Sequence, residues 1–147
     1  MDVRKVECQT LIIGAGTAGI EAYKSAVKNG QDCVIVDSGP LGTTAQRSGE
    51  LPVSLLMDAG LSLHAIENLD ECGISFATKV KPDTSNVMVS LRAVRARATS
   101  EVLSFMYRIP ESKRIRGKAK FVDSHTVIVD GCLEITFKTA VIATGSS

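Results

Sequence analysis

Two apolar rhythms alternate along the first forty residues. The run "TLII" at 10–13 is short and continuous, the pattern of a strand covered on both faces, and it leads directly into "GAGTAG". Ile20, Tyr23 and Val27 then recur at helical spacing, Gly30 marks a helix stop, and "CVIVD" at 33–37 reads as a second buried strand. A strand, a helix and a strand joined this way predict a right-handed crossover between two parallel strands.

Further along, a loop rich in Gly, Thr and Ser runs from Ser38 to Gly49. Pro52 introduces a helix-compatible stretch from Val53 to about Asp70, which Gly60 weakens without forbidding. From Val87 to about Met106, Leu91, Val94, Ala98, Val102 and Phe105 trace one apolar stripe with Arg92, Arg95 and Arg97 mostly turned away, which predicts a long amphipathic helix. After Pro110 the period becomes two through "KAKFV" and "TVIVD", predicting short antiparallel strands. The closing "EITFKTAVIATGSS" predicts one buried strand ending in a Gly/Ser turn. The expected fold class is α/β, a Rossmann-like parallel sheet with a small antiparallel β-meander.

Composition narrows the function classes. A chain of 147 residues suffices for one domain burying about two thirds of its surface, so a core is possible without staples. The balance of 17 Lys and Arg against 16 Asp and Glu gives no global field for nucleic acid or an anionic membrane, and neither is expected as a partner. The apolar share of 44% without Trp suits a core of Val, Ile, Leu and Ala rather than a stacking platform. No transmembrane run, repeat or low-complexity tract is visible. The run after Arg4 and Lys5 is very short and Gly-interrupted and is not read as a signal peptide, and a soluble, cytoplasmic protein is expected.

Isolated reactive residues add little. Cys8, Cys33, Cys72 and Cys132 form no C-x-x-C and read as small buried hydrophobes, so no metal site is expected. His64 and His125 stand without nearby ligand partners. Lys113, Arg114, Arg116, Lys118 and Lys120 read as the solvated face of a half-buried ribbon rather than a phosphate patch.

The chemistry lies in "GAGTAG". A G-x-G-x-x-G gains weight from its context, and here Gly14, Gly16 and Gly19 follow a strand and open a helix, with Asp37 closing the next strand. Gly14 permits the tight turn, Gly16 lets backbone approach a pyrophosphate, and Gly19 lets helix and strand pack closely. The pyrophosphate would rest on the helix N-terminus formed by Ala15, Thr17 and Ala18 with the glycines, and Asp37 would accept hydrogen bonds from an adenosine ribose. A carboxylate there disfavours a 2′-phosphate, and hence NADP. FAD and NAD share this fingerprint.

The opening "LIIGAGTAG", Asp37, "GTT" at 42–44, Pro52, "GKAKF" at 117–121 and the closing "VIATGSS" together resemble the flavoprotein pyridine nucleotide–disulfide oxidoreductases, in particular their dihydrolipoamide dehydrogenase branch. The resemblance covers nearly the whole chain. It implies FAD at Gly14 to Gly19 and Asp37, with Gly42, Thr43 and Thr44 along the pyrophosphate and ribityl chain, Ala119 offering backbone to the adenine, and Ala143, Thr144 and Gly145 lining the cofactor.

Two departures qualify what the resemblance implies. The family's segment carries two redox cysteines followed by a Pro-Ser-Lys. This sequence has Ala45 and Glu50 at the cysteines, and Val53 and Ser54 at the Ser and Lys. Disulfide exchange needs a thiolate, so this segment cannot run a dithiol cycle. Glu50 against a flavin would disfavour its reduction unless protonated; the alternative is a solvent-facing residue on a drifted loop.

Family members also continue into an NAD domain and a dimerisation domain bearing the catalytic His. Residues 1–147 are therefore expected to be the N-terminal part of an FAD-binding domain, an incomplete domain whose sheet leaves an unpaired edge. The full-length protein is expected to be a homodimeric flavin oxidoreductase moving electrons between NAD(P)H and an acceptor, with NAD held in the remaining part. The alternatives are a catalytically dead remnant or nucleotide-binding module, and, last, a single-domain NAD-dependent dehydrogenase.

Overall fold

The computed structural model describes residues 4–40, 50–78 and 80–145. The chain divides into two compact units, one formed by Met1–Thr43 with Val102–Ser147 and the other by Thr44–Glu101. In the first unit, strand β1 (Arg4–Ile13), helix α1 (Thr17–Lys28) and strand β2 (Cys33–Asp37) form the expected crossover, with β1 and β2 parallel in a register that sets Thr10 opposite Cys33 and Ile13 opposite Val36. Gly30 stops α1 in a left-handed conformation (φ +73°), its N–H donating to the Val27 carbonyl. The inner face of α1 is Gly19, Ile20 and Ala26, with Tyr23 packed beside them. Val27, expected on that face, is 49% exposed.

Strand β1 begins well before the apolar run. Its first half alternates between exposed and covered positions, and its second half, from Thr10, is buried on both faces. The amides of Gln9 and Thr10 both donate to the Asp32 carbonyl, just before β2 begins. The register against β6 runs unbroken through this point, yet Cys8 and Leu11, three residues apart, belong to the same core cluster, as do their partners Phe137 and Ala140.

The remaining strands are β3 (Arg114–Arg116), β4 (Ala119–Phe121), β5 (Thr126–Val129) and β6 (Leu133–Ile142), and the sheet order is β3-β2-β1-β6-β5-β4. β4, β5 and the start of β6 form the expected antiparallel meander. β3 departs from the expected ribbon, because it pairs in parallel with β2 rather than with its sequence neighbours. Only Gly117 and Lys118 separate β3 from β4, the two ends of the strand order, and two residues reach less than about 11 Å. The sheet therefore curls until its ends approach. Valines and isoleucines of the meander, among them Val127, Val129 and Ile135, pack with Leu11, Ile13, Val34 and Val36 on one face.

On the other face Ile12, Ala15, Ile20 and Ile35 meet Met106 and Ile109 at the end of helix α3 (Thr84–Arg108). Strand β6 is not buried throughout, as expected from its sequence, but only alternately so. It pairs with β1 along its length and with β5 only as far as Thr136, so beyond that residue its outer edge has no paired strand among the described residues, and Ile142 is 67% exposed.

The second unit contains helix α2 (Glu50–Glu67), a 3₁₀ turn (Leu69–Cys72) and the first turns of α3. α2 passes through Gly60 unbroken. Val53, Met57 and Leu61 stand exposed along it, while Leu91 of α3 is buried and Val94, expected on the same stripe, is 41% exposed. Among the described residues no helix is long and apolar enough to cross a membrane.

Candidate functional site

The site is built where β1 gives way to α1. Gly14 adopts φ +106° and donates its N–H to the Val36 carbonyl, which ties the turn to the neighbouring strand. A Cβ on Gly14 would fall 2.3 Å from the Ala143 carbonyl oxygen, and one on Gly19 would fall 1.9 Å from the Gly14 carbonyl oxygen. These two glycines are required by close packing of the loop on itself and on the end of β6. Gly16 is different: its φ of −76° suits any residue, and a Cβ there would meet nothing within 4 Å.

The space over Gly16 lies at the N-terminus of α1. Gly16 is the N-cap, no side chain caps the helix, and the first turn carries no acidic residue. The Ile20 N–H closes the first helical bond to Gly16, so the amides of Thr17, Ala18 and Gly19 have no acceptor among the described residues. Free amides at the positive end of a helix dipole make a seat for a phosphate or diphosphate.

Asp37, at the carboxyl end of β2, holds the rim of this seat. Its Oδ2 accepts the Ala15 N–H and its Oδ1 accepts the Gly39 N–H at 2.8 Å, so the carboxylate joins the Gly-rich loop to the chain leaving β2. Each carboxylate oxygen keeps a lone pair for a further donor such as a ribose hydroxyl. Beside Asp37 is a notch of about 80 Å³ lined by Ile35, Gly39, Met106, Arg114, Ile115 and Arg116. Gly39 and the arginines of β3 were not legible as site residues. The signals present were an Asp followed two residues later by Gly, and the alternating "RIR".

Ala143 and Thr144 are brought against Gly14: the Ala143 N–H donates to the Ile13 carbonyl at 2.8 Å, and Gly145 turns with φ +76°. Ala119 lies two residues beyond Gly117, whose N–H donates to the Asp37 carbonyl at 3.0 Å. The structure thus gathers Gly14 to Gly19, Asp37 and Ala143 to Gly145 at the carboxyl ends of β1 and β2, whereas Ala119 opens β4 opposite Val129 and reaches this end only through Gly117. Gly42, Thr43, Thr44 and Ala45 lie outside the described residues. Glu50 opens α2, and its side chain is likewise outside them.

The basic residues do not form one face. Lys113 pairs with Asp32 at 2.6 Å, and the Arg114 guanidinium donates to the Met106 carbonyl at 2.9 Å while lying 4.7 Å from the Tyr107 ring. Both are therefore tethered rather than merely solvated. Of the cysteines, Cys8 and Cys33 are buried as expected, but Cys72 and Cys132 are exposed. Burial pushes the Cys8 thiol up from 9.0 to about 11, reinforced by Asp32, and also raises Cys33 and the Tyr23 phenol. Thiols held protonated this way are poor nucleophiles at neutral pH. Among the described residues no three His, Cys, Asp or Glu side chains cluster as metal ligands. His64 and His125 are both exposed.

A second concavity, about 360 Å³, belongs to the other unit and is mainly apolar, with Leu55, Ala59, Leu91 and Val94 in its walls. It gathers no set of titratable groups around a reacting position.

The profile of the pyridine nucleotide-disulphide oxidoreductases matches residues 8–147. Dihydrolipoyl dehydrogenases of Geobacillus stearothermophilus and Bacillus subtilis are each 33% identical over 144 residues, which is 96% of this chain and 30% of theirs. Glutathione reductase, chloroplastic/mitochondrial, of Pisum sativum is 28% identical over 140 residues, 88% of this chain and 25% of that protein. The HOCl-induced flavoprotein disulfide reductase RclA from Escherichia coli matches in fold with a TM-score of 0.67 at 21% identity, over 95% of this chain and 28% of that one. The chain spans less than a third of the length of each of these relatives.

Proposed function

Because the chain belongs to the pyridine nucleotide-disulphide oxidoreductase family, we propose that residues 1–147 are the N-terminal part of an FAD-binding domain, and that the whole protein is a flavin oxidoreductase moving electrons between NAD(P)H and an acceptor. The observation that carries this reading is the open backbone seat over Gly16, faced by the amides of Thr17, Ala18 and Gly19. FAD, when bound, supplies a ring system that accepts and donates electrons. The residues present fit its ADP half. The α1 N-terminus would hold the pyrophosphate, Asp37 would accept the ribose hydroxyls, Ala119 would offer backbone to the adenine, and Ala143, Thr144 and Gly145 would border the cofactor where they meet Gly14.

The protein's own groups also limit the chemistry. Ala45 and Glu50 stand at the family's two cysteine positions, and neither a methyl group nor a carboxylate attacks a disulfide. The buried Cys8 and Cys33 thiols, held protonated, do not substitute for them. Hydride exchange between nicotinamides through the flavin alone needs no dithiol. The same two replacements favour a second reading, a catalytically dead remnant that retains a nucleotide.

The test is the visible absorption spectrum of the purified protein after incubation with FAD and gel filtration, with flavin released by denaturant as a check. Co-eluting flavin at close to one per chain is expected. A folded protein that retains no flavin would overturn the proposal. Flavin retained by the full-length protein without any NADH-dependent reduction would select the remnant.

A further inference from the structure

The notch beside Asp37 is more than the edge of a sheet. The register of β2 and β3 sets Ile35 opposite Arg114 and Asp37 opposite Arg116, and side chains two residues apart on a strand share a face. Ile35, Asp37, Arg114 and Arg116 therefore stand on one face at the carboxyl end of the sheet, and all four line the notch. Its charge is not that of a lone carboxylate, because two guanidinium groups share it with one Asp.

The two arginines are not equivalent. Arg114 is committed, donating to the Met106 carbonyl at the end of α3 and stacked on Tyr107. Asp37 is committed as well, with an oxygen on each of the Ala15 and Gly39 amides. Arg116 is exposed, and its guanidinium has neither a hydrogen bond nor an ion pair among the described residues, even with Asp37 beside it. Its five donors and its planar face remain available at the rim where a ribose on Asp37 would place the attached base. An adenine offers ring-nitrogen acceptors and a π face, and a guanidinium can serve either.

We infer that Arg116 is a specificity-determining residue of the nucleotide site, recognising the adenosine end of the ligand beside Asp37. This rests on the proposed reading of the Gly14–Gly19 loop as the seat of an adenine dinucleotide. It separates ligands that carry an adenosine, such as FAD and ADP, from FMN, which lacks one.

The experiment measures FAD, ADP and FMN affinities for the protein and its R116A and R116K variants by flavin fluorescence and calorimetry, with far-UV circular dichroism confirming the fold. R116A is expected to weaken FAD and ADP together by about tenfold, the scale of one lost stacking or charge-assisted contact, and to leave FMN unchanged. R116K is expected to recover part of the loss. If FAD binds and R116A changes FAD and ADP by less than twofold, or weakens FMN equally, the assignment of Arg116 is wrong and the cofactor reading survives. If the folded wild-type protein binds neither FAD nor ADP, the reading of the loop falls and Arg116 with it.

Discussion

Three glycines in six residues look alike in the sequence, yet the structure gives them different work. Gly19 is held by packing, since a Cβ there would lie 1.9 Å from the Gly14 carbonyl oxygen, whereas Gly16 borders open space. Gly19→Ala is expected to destabilise the fold by about 1–3 kcal/mol, the usual range for overpacking. Gly16→Ala, at an N-cap facing open space, should cost no more than about 1 kcal/mol while weakening FAD retention. Urea midpoints alongside flavin retention separate the two; equal loss of stability in both variants would refute the distinction.

Cys8 gives a second test at this scale. Its thiol is raised from 9.0 to about 11 in the fold by burial. Between those pH values the unfolded state binds fewer protons than the folded state, so stability should be intact below about pH 9 and decline as pH rises toward 11. Cys8→Ala should flatten that part of a urea midpoint profile against pH. An unchanged slope would exclude Cys8 as its source.

At the scale of elements, the end of α3 is what the helical face of the sheet packs on. Met106 is fully buried, among Ile12, Ile20, Ile35 and Ile109. Met106→Ala is expected to cost about 2–5 kcal/mol. By contrast Lys113→Ala, which breaks a partly exposed pair with Asp32, should cost under about 1 kcal/mol. Chemical denaturation of the two variants measures the difference, and a Lys113 effect matching that of Met106 would contradict this ranking. The α3 stripe was legible because its period is local. Which of its residues is most buried was not, since Met106 lies off the Leu91-to-Phe105 stripe and is chosen by the sheet it meets. β3 was misread for a related reason: three residues of alternating pattern cannot declare a parallel partner some eighty positions earlier.

For the whole molecule, family membership and residue chemistry point in different directions. The relatives include dihydrolipoyl dehydrogenases, while on the proposed reading Ala45 and Glu50 stand where a dithiol cycle would require thiols. NADH–lipoamide turnover by the full-length protein is therefore expected to be undetectable, even where NADH reduces its flavin. Robust lipoamide turnover with Ala45 and Glu50 in place would overturn the proposal at this scale.

The sequence by itself determined the βαβ opening, the glycine fingerprint with its Asp37, the meander and the family, because each is written in short-range periodicity or in a contiguous motif. Tertiary structure decided the shared burial of Cys8 and Leu11 along β1, the parallel edge strand β3, the exposed far end of β6 and the company of Arg116 beside Asp37. Each of those depends on which distant backbone supplies a hydrogen-bond partner. Strand pairing is a contest among all the edges in the chain, and no local pattern encodes its outcome.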